Sequence, residues 1–418
     1  MHPGSSSAAD SASGRWLVLA AAFLGWMFDG LEMGIFPVVA RPALQELLGT
    51  QADKLVGPWM GYITALFLLG AASGGLVFGW LGDRLGRVRA MTLSILTYSL
   101  FTGICYFAQA PWQLGLCRFL AAVGMGGEWS LGVALVMECW PEGRRPLMAG
   151  VIGAAGNLGY ALIGLITWVV PVRSDSWRWV MLAGACPAVL ALLITLLVPE
   201  SMRWKESVGR QRTAVQPLRV VFGRDLRGLT MLAIALGSVA LIGTWGSVQW
   251  LPLWADQMTG KTQPQVKGVT MFVMSMGAVA GCFAGSWIGG RFGRRIAYCG
   301  LCAASLLSCG VLFRTVQAFD ATFVAGAFVV GAATAAFYGW LPLYLPELFP
   351  TRARATGQGV SYNTGRILAA VGALTQGQLV AHYGGSYAQA GAMVTLIYLV
   401  GMVLIWFGPE TKGRPLPD

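Results

Sequence analysis

Apolar residues run along this chain in blocks of about twenty or more, enough at 1.5 Å per helical residue to cross the ~30 Å hydrocarbon core of a bilayer. The blocks fall at 15–40, 57–81, 90–110, 112–138, 147–171 and 177–198. After a polar stretch they resume at 229–254, 268–289, 296–314, 320–345, 355–381 and 386–407. The pattern predicts an all-α membrane protein of twelve transmembrane helices. Residues 1–14, rich in Ser and Ala, are expected to form a disordered tail. The run from Trp16 is too long for the apolar region of a cleaved signal and reads as the first membrane helix.

The connections between blocks carry their charge unevenly. Arg84, Arg87 and Arg89, then Arg144 and Arg145, the stretch from Arg203 to Arg227, Arg291, Arg294 and Arg295, Arg352 and Arg354, and Lys412 and Arg414 occupy alternate connections. The opposite loops hold Arg41, Lys54, Arg173, Arg178, Lys261, Lys267 and Arg314. The positive-inside rule places both termini and the 200–228 stretch in the cytoplasm. A multi-pass protein of the cell (inner or plasma) membrane is expected, with a bundle at 15–199, a cytoplasmic linker at 200–228, a second bundle at 229–408 and a tail at 409–418.

The two bundles also repeat one another. Gly82-Asp-Arg-Leu-Gly-Arg87 recurs as Gly289-Gly-Arg-Phe-Gly-Arg294, Glu138-Cys-Trp-Pro141 as Glu347-Leu-Phe-Pro350, and Pro199-Glu-Ser201 as Pro409-Glu-Thr411, in the same order at a nearly constant offset. Two similar six-helix bundles with a substrate site between them near mid-membrane follow from this repeat.

Composition agrees with a lipid solvent: 56% of residues are hydrophobic and 11% charged, against about 25% charged in soluble domains. The net charge of +11 lies in short clusters between apolar runs rather than on one face, which points to a lipid surface and away from nucleic acid. The eight Cys sit in or at the ends of apolar runs and read as reduced thiols. Cys299 and Cys302 form a lone CxxC without a second pair or a nearby His, and His2 and His382 are the only histidines, so no metal site is expected. No cofactor is implied. Without a nucleophile–base pair, the chain does not read as an enzyme.

At this point the residues resemble the major facilitator superfamily over nearly the whole chain. Gly79-Trp-Leu-Gly-Asp83-Arg84-Leu-Gly86-Arg87 is similar to the family's GxLxDRxGR loop, with Gly290 standing where the second copy would have its Asp. The stretch from Arg118 through Ala122 to Gly124-Met-Gly126 resembles RxxxGxG, with Ala122 at the first Gly position, and Pro199-Glu-Ser-Met-Arg203 and Pro409-Glu-Thr-Lys-Gly-Arg414 resemble the PESPR and PETKG ends of sugar porters and organic-ion transporters. More narrowly, Asp29-Gly-Leu-Glu32 resembles the DGxD of aromatic-acid:proton symporters. Gly126-Gly-Glu128-Trp129 is similar to the GGEW of sialate and monocarboxylate symporters, and Tyr362-Asn-Thr-Gly-Arg366 to the YNxGR of such carriers. The resemblance implies alternating access by a secondary transporter working as a monomer.

An ionised side chain at membrane depth is costly unless paired or wetted, so Asp29, Glu32, Arg118, Glu128 and Arg366 are candidates by position. Asp29 lies about 20 Å along the first helix and Glu32 shares its face, so the two should not both stay ionised. By analogy with proton-coupled sugar porters, Asp29 and Arg118 are expected to form a proton switch, the alternative being a static ion pair. Arg366, roughly 16 Å into the eleventh helix, has the planar fork that suits a carboxylate; the alternative is a partner for Glu128 or for backbone carbonyls. Glu128 is either a second protonation site or an Arg partner. Asn157, Tyr160, Gln249, Tyr338, Tyr362 and Asn363 could hydrogen-bond a substrate, and Trp129 and Trp245 could line its pocket.

The family likeness gives the loop motifs a different task. Asp83, Arg84, Arg87, Glu138 and Arg144 on one side, and Arg294, Glu347 and Arg352 on the other, are expected to form charged latches at a cytoplasmic gate. The leading expectation is proton-coupled symport of a small organic anion, a carboxylate. A sugar or polyol symporter comes second, then a cationic-drug exporter, then a non-transporting membrane sensor, which uptake in proteoliposomes would distinguish.

Overall fold

The structure is a computed structural model that describes residues 12–49, 52–128, 132, 136, 144–198, 217–260, 262–350, 353–414 and 417. Their regular structure is helical, without strands among the described residues. The first six rods are α1 (Ala12–Leu48), α2 (Ala52–Leu85), α3 (Arg87–Ile104), α4 (Pro111–Met125), α5 (Arg145–Val169) and α6, built of Trp177–Ala183 and Pro187–Leu197. The second six are α7 (Arg227–Gly246, continued by Val248–Trp250 and Leu251–Met258), α8 (Val266–Phe292), α9 (Arg294–Thr315), α10 (Ala321–Tyr344), α11 (Arg354–His382) and α12, from Tyr387–Val394 through Ile397–Leu404. A short helix, Pro217–Val221, precedes α7.

Ten of these rods are long and apolar enough to cross a membrane; α4 and α11 fall short. The described part of α4 is fifteen residues. α11 carries Gln358, Ser361, Asn363, Arg366, Gln376 and Gln378, the composition of a helix that faces a polar interior rather than lipid. By contrast α3, α6, α9 and α12 turn large apolar side chains outward, among them Leu100, Leu196, Leu307 and Val403.

Packing repeats between the two sets of six. α1 lies on α5 as α7 lies on α11, and α2 lies on α4 as α8 lies on α10. Between the sets, α2 meets α11 and α5 meets α8. Glycines set the closeness of these seams. A Cβ at Gly70 or Gly74 of α2 would come 2.3 or 2.0 Å from a carbonyl oxygen of α4, and a Cβ at Gly277 or Gly281 of α8 would come 2.0 Å from one of α10. Backbones in direct contact are how helices pack in lipid, where apolar side chains gain little by leaving the solvent.

The two basic motif turns share one conformation. Gly86 (φ 107°, ψ 157°) ends α2 and Gly293 (φ 95°, ψ 164°) ends α8, and only glycine adopts this region without strain. α7 is broken at Ser247, where a 3₁₀ turn replaces the α-helix and turns Gln249 and Trp250 inward, both buried. Interrupted helices of this kind line binding sites at membrane depth.

Candidate functional site

α1 carries Asp29 and Glu32, both fully buried, toward α4. The helix reaches this depth because Gly30 packs flush on α5, where a Cβ would come 1.8 Å from the Gly156 carbonyl oxygen. Glu32, not Asp29, holds Arg118. Nη1 of Arg118 donates to Glu32 Oε1, and Nη2 donates to the Glu32 carbonyl oxygen at 3.1 Å. Thr102 Oγ1 donates to the same carboxylate oxygen at 2.6 Å. The guanidinium also stands 4.7 Å over the Phe67 ring and 5.8 Å from that of Phe36. The expected Asp29–Arg118 pair is therefore corrected to Glu32–Arg118: one turn along α1 brings the later acid to the guanidinium.

Asp29 instead faces Glu128 within hydrogen-bonding contact. None of the four oxygens of these two carboxyls accepts from a donor. Two carboxyls bond only when a proton lies between them, because an ionised carboxylate has no donor. Gly25, one turn before Asp29 on the same face, makes the room; a Cβ there would sit 3.3 Å from Glu128 Oε2. The geometry thus separates an ion pair, Glu32–Arg118, from a carboxyl pair, Asp29–Glu128.

Arg366 approaches these acids from α11 and is 3% exposed. Its Nη1 reaches the Ala71 carbonyl at 3.5 Å, the Gly126 carbonyl at 3.4 Å and Asn363 Oδ1 at 3.3 Å, while the guanidinium lies 4.9 Å over the Tyr362 ring. These three bonds are long and share one nitrogen, and Tyr362 adds a side-chain hydrogen bond, so neutral groups hold the fork. Asn363 fits against α2 only because position 75 is glycine, where a Cβ would come 2.3 Å from its Nδ2.

The other expected pocket residues divide by position. Gln249 Nε2 donates to Tyr160 Oη at 3.0 Å across the two sets of helices, and Gln249 Oε1 is buried without a donor. Trp245 lies 5.9 Å from the Phe67 ring. Asn157 donates to its own helix at Gly153 (3.1 Å) and to Cys282 Sγ (3.4 Å), which makes it part of the α5–α8 wall. Tyr338 faces Thr244 within the second six helices. Phe36, Phe67, Arg118, Trp245, Gln249 and Trp250 enclose a central cleft with about 10 Å³ of free space, close to the volume of one water centre. A larger cavity, about 610 Å³, lies elsewhere, between Gly223, Leu229, Glu347 and Arg414 at the far end of the second six helices.

Thr102, Phe36, Phe67 and Trp250 were not among the sequence candidates. Nothing in their spacing marks them, since a Thr or an aromatic residue in an apolar run is ordinary packing.

Of the gate residues, the side chains of Asp83, Arg84 and Arg87 and the whole of Glu138 and Arg352 lie outside the described residues, as does Trp129 among the pocket candidates. Arg144 is exposed at the start of α5. Arg294 and Glu347 do meet: Nε and Nη2 donate to the two carboxylate oxygens at 2.9 and 2.5 Å, and Thr411 Oγ1 adds a bond at 2.6 Å. Both belong to the second six helices, so this pair fastens α9 to the end of α10 rather than spanning the two sets. Glu410, the acid of the Pro409-Glu-Thr411 motif, accepts from the backbone N–H groups of Arg294, Arg295 and Lys412 at 3.0, 3.1 and 3.0 Å and so caps α9.

A family model described as Major Facilitator Superfamily matches residues 16–373. The cis,cis-muconate transport protein of Acinetobacter baylyi is 28% identical, with 94% of each chain covered. The niacin transporter NiaP of the same organism is 27% identical over 96% of this chain and 95% of its own. Among solved structures, the partially occluded inward-open xylose transporter XylE from E. coli superimposes with a TM-score of 0.75 at 19% identity, covering 97% of this chain and all of that one.

Proposed function

Because the chain belongs to the major facilitator superfamily, whose members here are membrane transporters rather than enzymes, we propose that it carries a small organic anion, a carboxylate, together with protons by alternating access. One observation carries this reading: three buried acids, Asp29, Glu32 and Glu128, share the centre with two buried guanidiniums, Arg118 and Arg366. Five ionisable groups in a low-dielectric interior approach neutrality only with a bound proton, and the Asp29–Glu128 contact is where one fits. Arg366 is the cation held by neutral groups, carbonyls, an amide and Tyr362, so an incoming carboxylate would be its stronger partner. The similarity to transporters named for muconate and niacin, both carboxylates at neutral pH, supports the same class of cargo.

Alternating access then needs the two sets of six helices to rock about this centre, since the cleft of about 10 Å³ admits no organic acid without their separation. The arginine-rich connections support cytoplasmic termini, and the similarity to a relative named as an inner membrane metabolite transport protein of Escherichia coli supports the inner membrane. The test is uptake of labelled carboxylates into proteoliposomes under an imposed pH gradient. Accumulation should occur with the inside alkaline, vanish in Arg366→Ala, and recover little in Arg366→Lys, because a point charge lacks the bidentate fork. Accumulation of sugars instead of acids, or full activity in Arg366→Ala, would overturn the reading.

A further inference from the structure

The end of the bundle opposite the Gly86 and Gly293 turns is closed along three seams, and one of them is ionic. Along α5–α8, a Cβ at Gly268 would come 2.3 Å from the Trp168 backbone nitrogen, and along α2–α11 a Cβ at Gly61 would come 3.2 Å from the Ala373 carbonyl. These are close backbone contacts with no ion pair in them. The third seam joins α1 to the tail of α7. Arg41 Nε lies 3.4 Å from Asp256 Oδ2, and Lys267 Nζ of α8 lies 3.9 Å from Asp256 Oδ1. All three side chains are more than nine-tenths buried, beside the Tyr387 ring.

Asp256 and Lys267 belong to the second six helices, and Arg41 belongs to the first. We propose that Asp256, held ready by Lys267, is the movable latch of the outer gate, and that Arg41 is its catch. The proposal rests on the alternating-access reading. Ions suit this work for a physical reason: parting two buried charges exposes both to water, so the lost attraction is offset by regained hydration. An apolar seam gains nothing comparable when it is wetted. The pair is thus strong enough to close the outer end and cheap enough to reopen, while Lys267 keeps Asp256 from standing alone when the halves separate.

The test reads access rather than transport. In a chain whose native cysteines are replaced, a single cysteine at Met60, which lines the central cleft, is labelled by a membrane-impermeant maleimide added to right-side-out vesicles. Arg41→Gln should label faster by about tenfold or more, as the closed population falls, with an unchanged melting temperature, since Asp256 keeps its Lys267 partner. Lys267→Gln removes a contact within one half that Asp256 keeps when the halves separate, so it should label no faster than wild type. Asp256→Asn should also open the outer side, and if it fails to fold, Arg41→Gln decides alone. Labelling at the wild-type rate in folded Arg41→Gln, or equal opening in Lys267→Gln, overturns the latch. Faster labelling of Arg41→Gln in a chain that accumulates no carboxylate leaves the latch standing and overturns the proposed function instead.

Discussion

Asp29 and Glu32 stand three residues apart on α1, about 4.5 Å along its axis, and that offset decides which of them holds a cation. Glu32 meets Arg118 and Thr102, whereas Asp29 meets another carboxyl. Removing one member of a buried ion pair leaves the other charge uncompensated, so Glu32→Gln should cost about 3 kcal/mol or more. Asp29→Asn should cost under about 1 kcal/mol, because its amide can donate to Glu128 where a shared proton did before. Melting temperatures in mild detergent compare them; equal losses would mean that Arg118 does not depend on Glu32. All five central ionisable groups were legible in the sequence, because charge at membrane depth is conspicuous against an apolar run. Their pairing was not, since two acids on one helix face differ only by a turn and the register of α4 against α1 is set by packing. Thr102 and Phe67, which complete the Arg118 site, carry no charge to betray them.

Two features at the scale of the helix invite measurement. α8 and α10 touch backbone to backbone at Gly281, where a Cβ would come 2.0 Å from the Ala332 carbonyl oxygen. Gly281→Ala must push the helices apart and should destabilise by about 1–3 kcal/mol. Gly290→Ala, in the same helix with open space around its position, should be neutral or stabilising by up to about 1 kcal/mol. A thermal melt of the two variants checks the seam, and similar losses would deny it. The second feature is the cap on α9. Partial burial raises the Glu410 carboxyl, but the N–H groups of Arg294, Lys412 and Arg295 outweigh it and hold the group below the ordinary carboxylate range. A depressed value in the folded state contributes stability above the unfolded value near 4.3 and loses it as pH falls through the folded value. The gap in melting temperature between wild type and Glu410→Gln should therefore be full at neutral pH and shrink below about pH 4. A gap independent of pH would show that the carboxylate charge is not what caps the helix. The helices themselves were legible from apolar blocks of membrane length. The role of Glu410 was not, because its partners at the start of α9 are more than a hundred residues away.

The whole molecule repeats its packing as it repeats its motifs: α2 on α4 and α8 on α10, with Gly86 and Gly293 in one conformation. The constant motif offset made that symmetry legible. The closure of the two halves was not, because it depends on seams such as Arg41–Asp256 that join residues of unrelated motifs. In the proposed mechanism, one proton on the Asp29–Glu128 pair balances the three acids against Arg118 and Arg366. A monocarboxylate adds one negative charge, so a further proton must accompany it if the loaded centre is to cross the closed state neutral. Net movement of one carboxylate with one proton carries no charge. Its uptake should follow a pH gradient and ignore a membrane potential, which would otherwise contribute about 2.3 kcal/mol per charge at 100 mV. The pair then holds both the resident and the transported proton, so either carboxyl alone could still carry the latter, whereas Asp29→Asn combined with Glu128→Gln leaves neither. The double variant should lose accumulation against a gradient yet retain exchange of labelled for unlabelled substrate, which needs no net proton movement. Glu32→Gln is the control for the neighbouring acid, read beside its melting temperature. If the double variant still accumulates substrate while folded Glu32→Gln does not, the proton rides on the Arg118 pair; if both accumulate it, coupling does not pass through these acids.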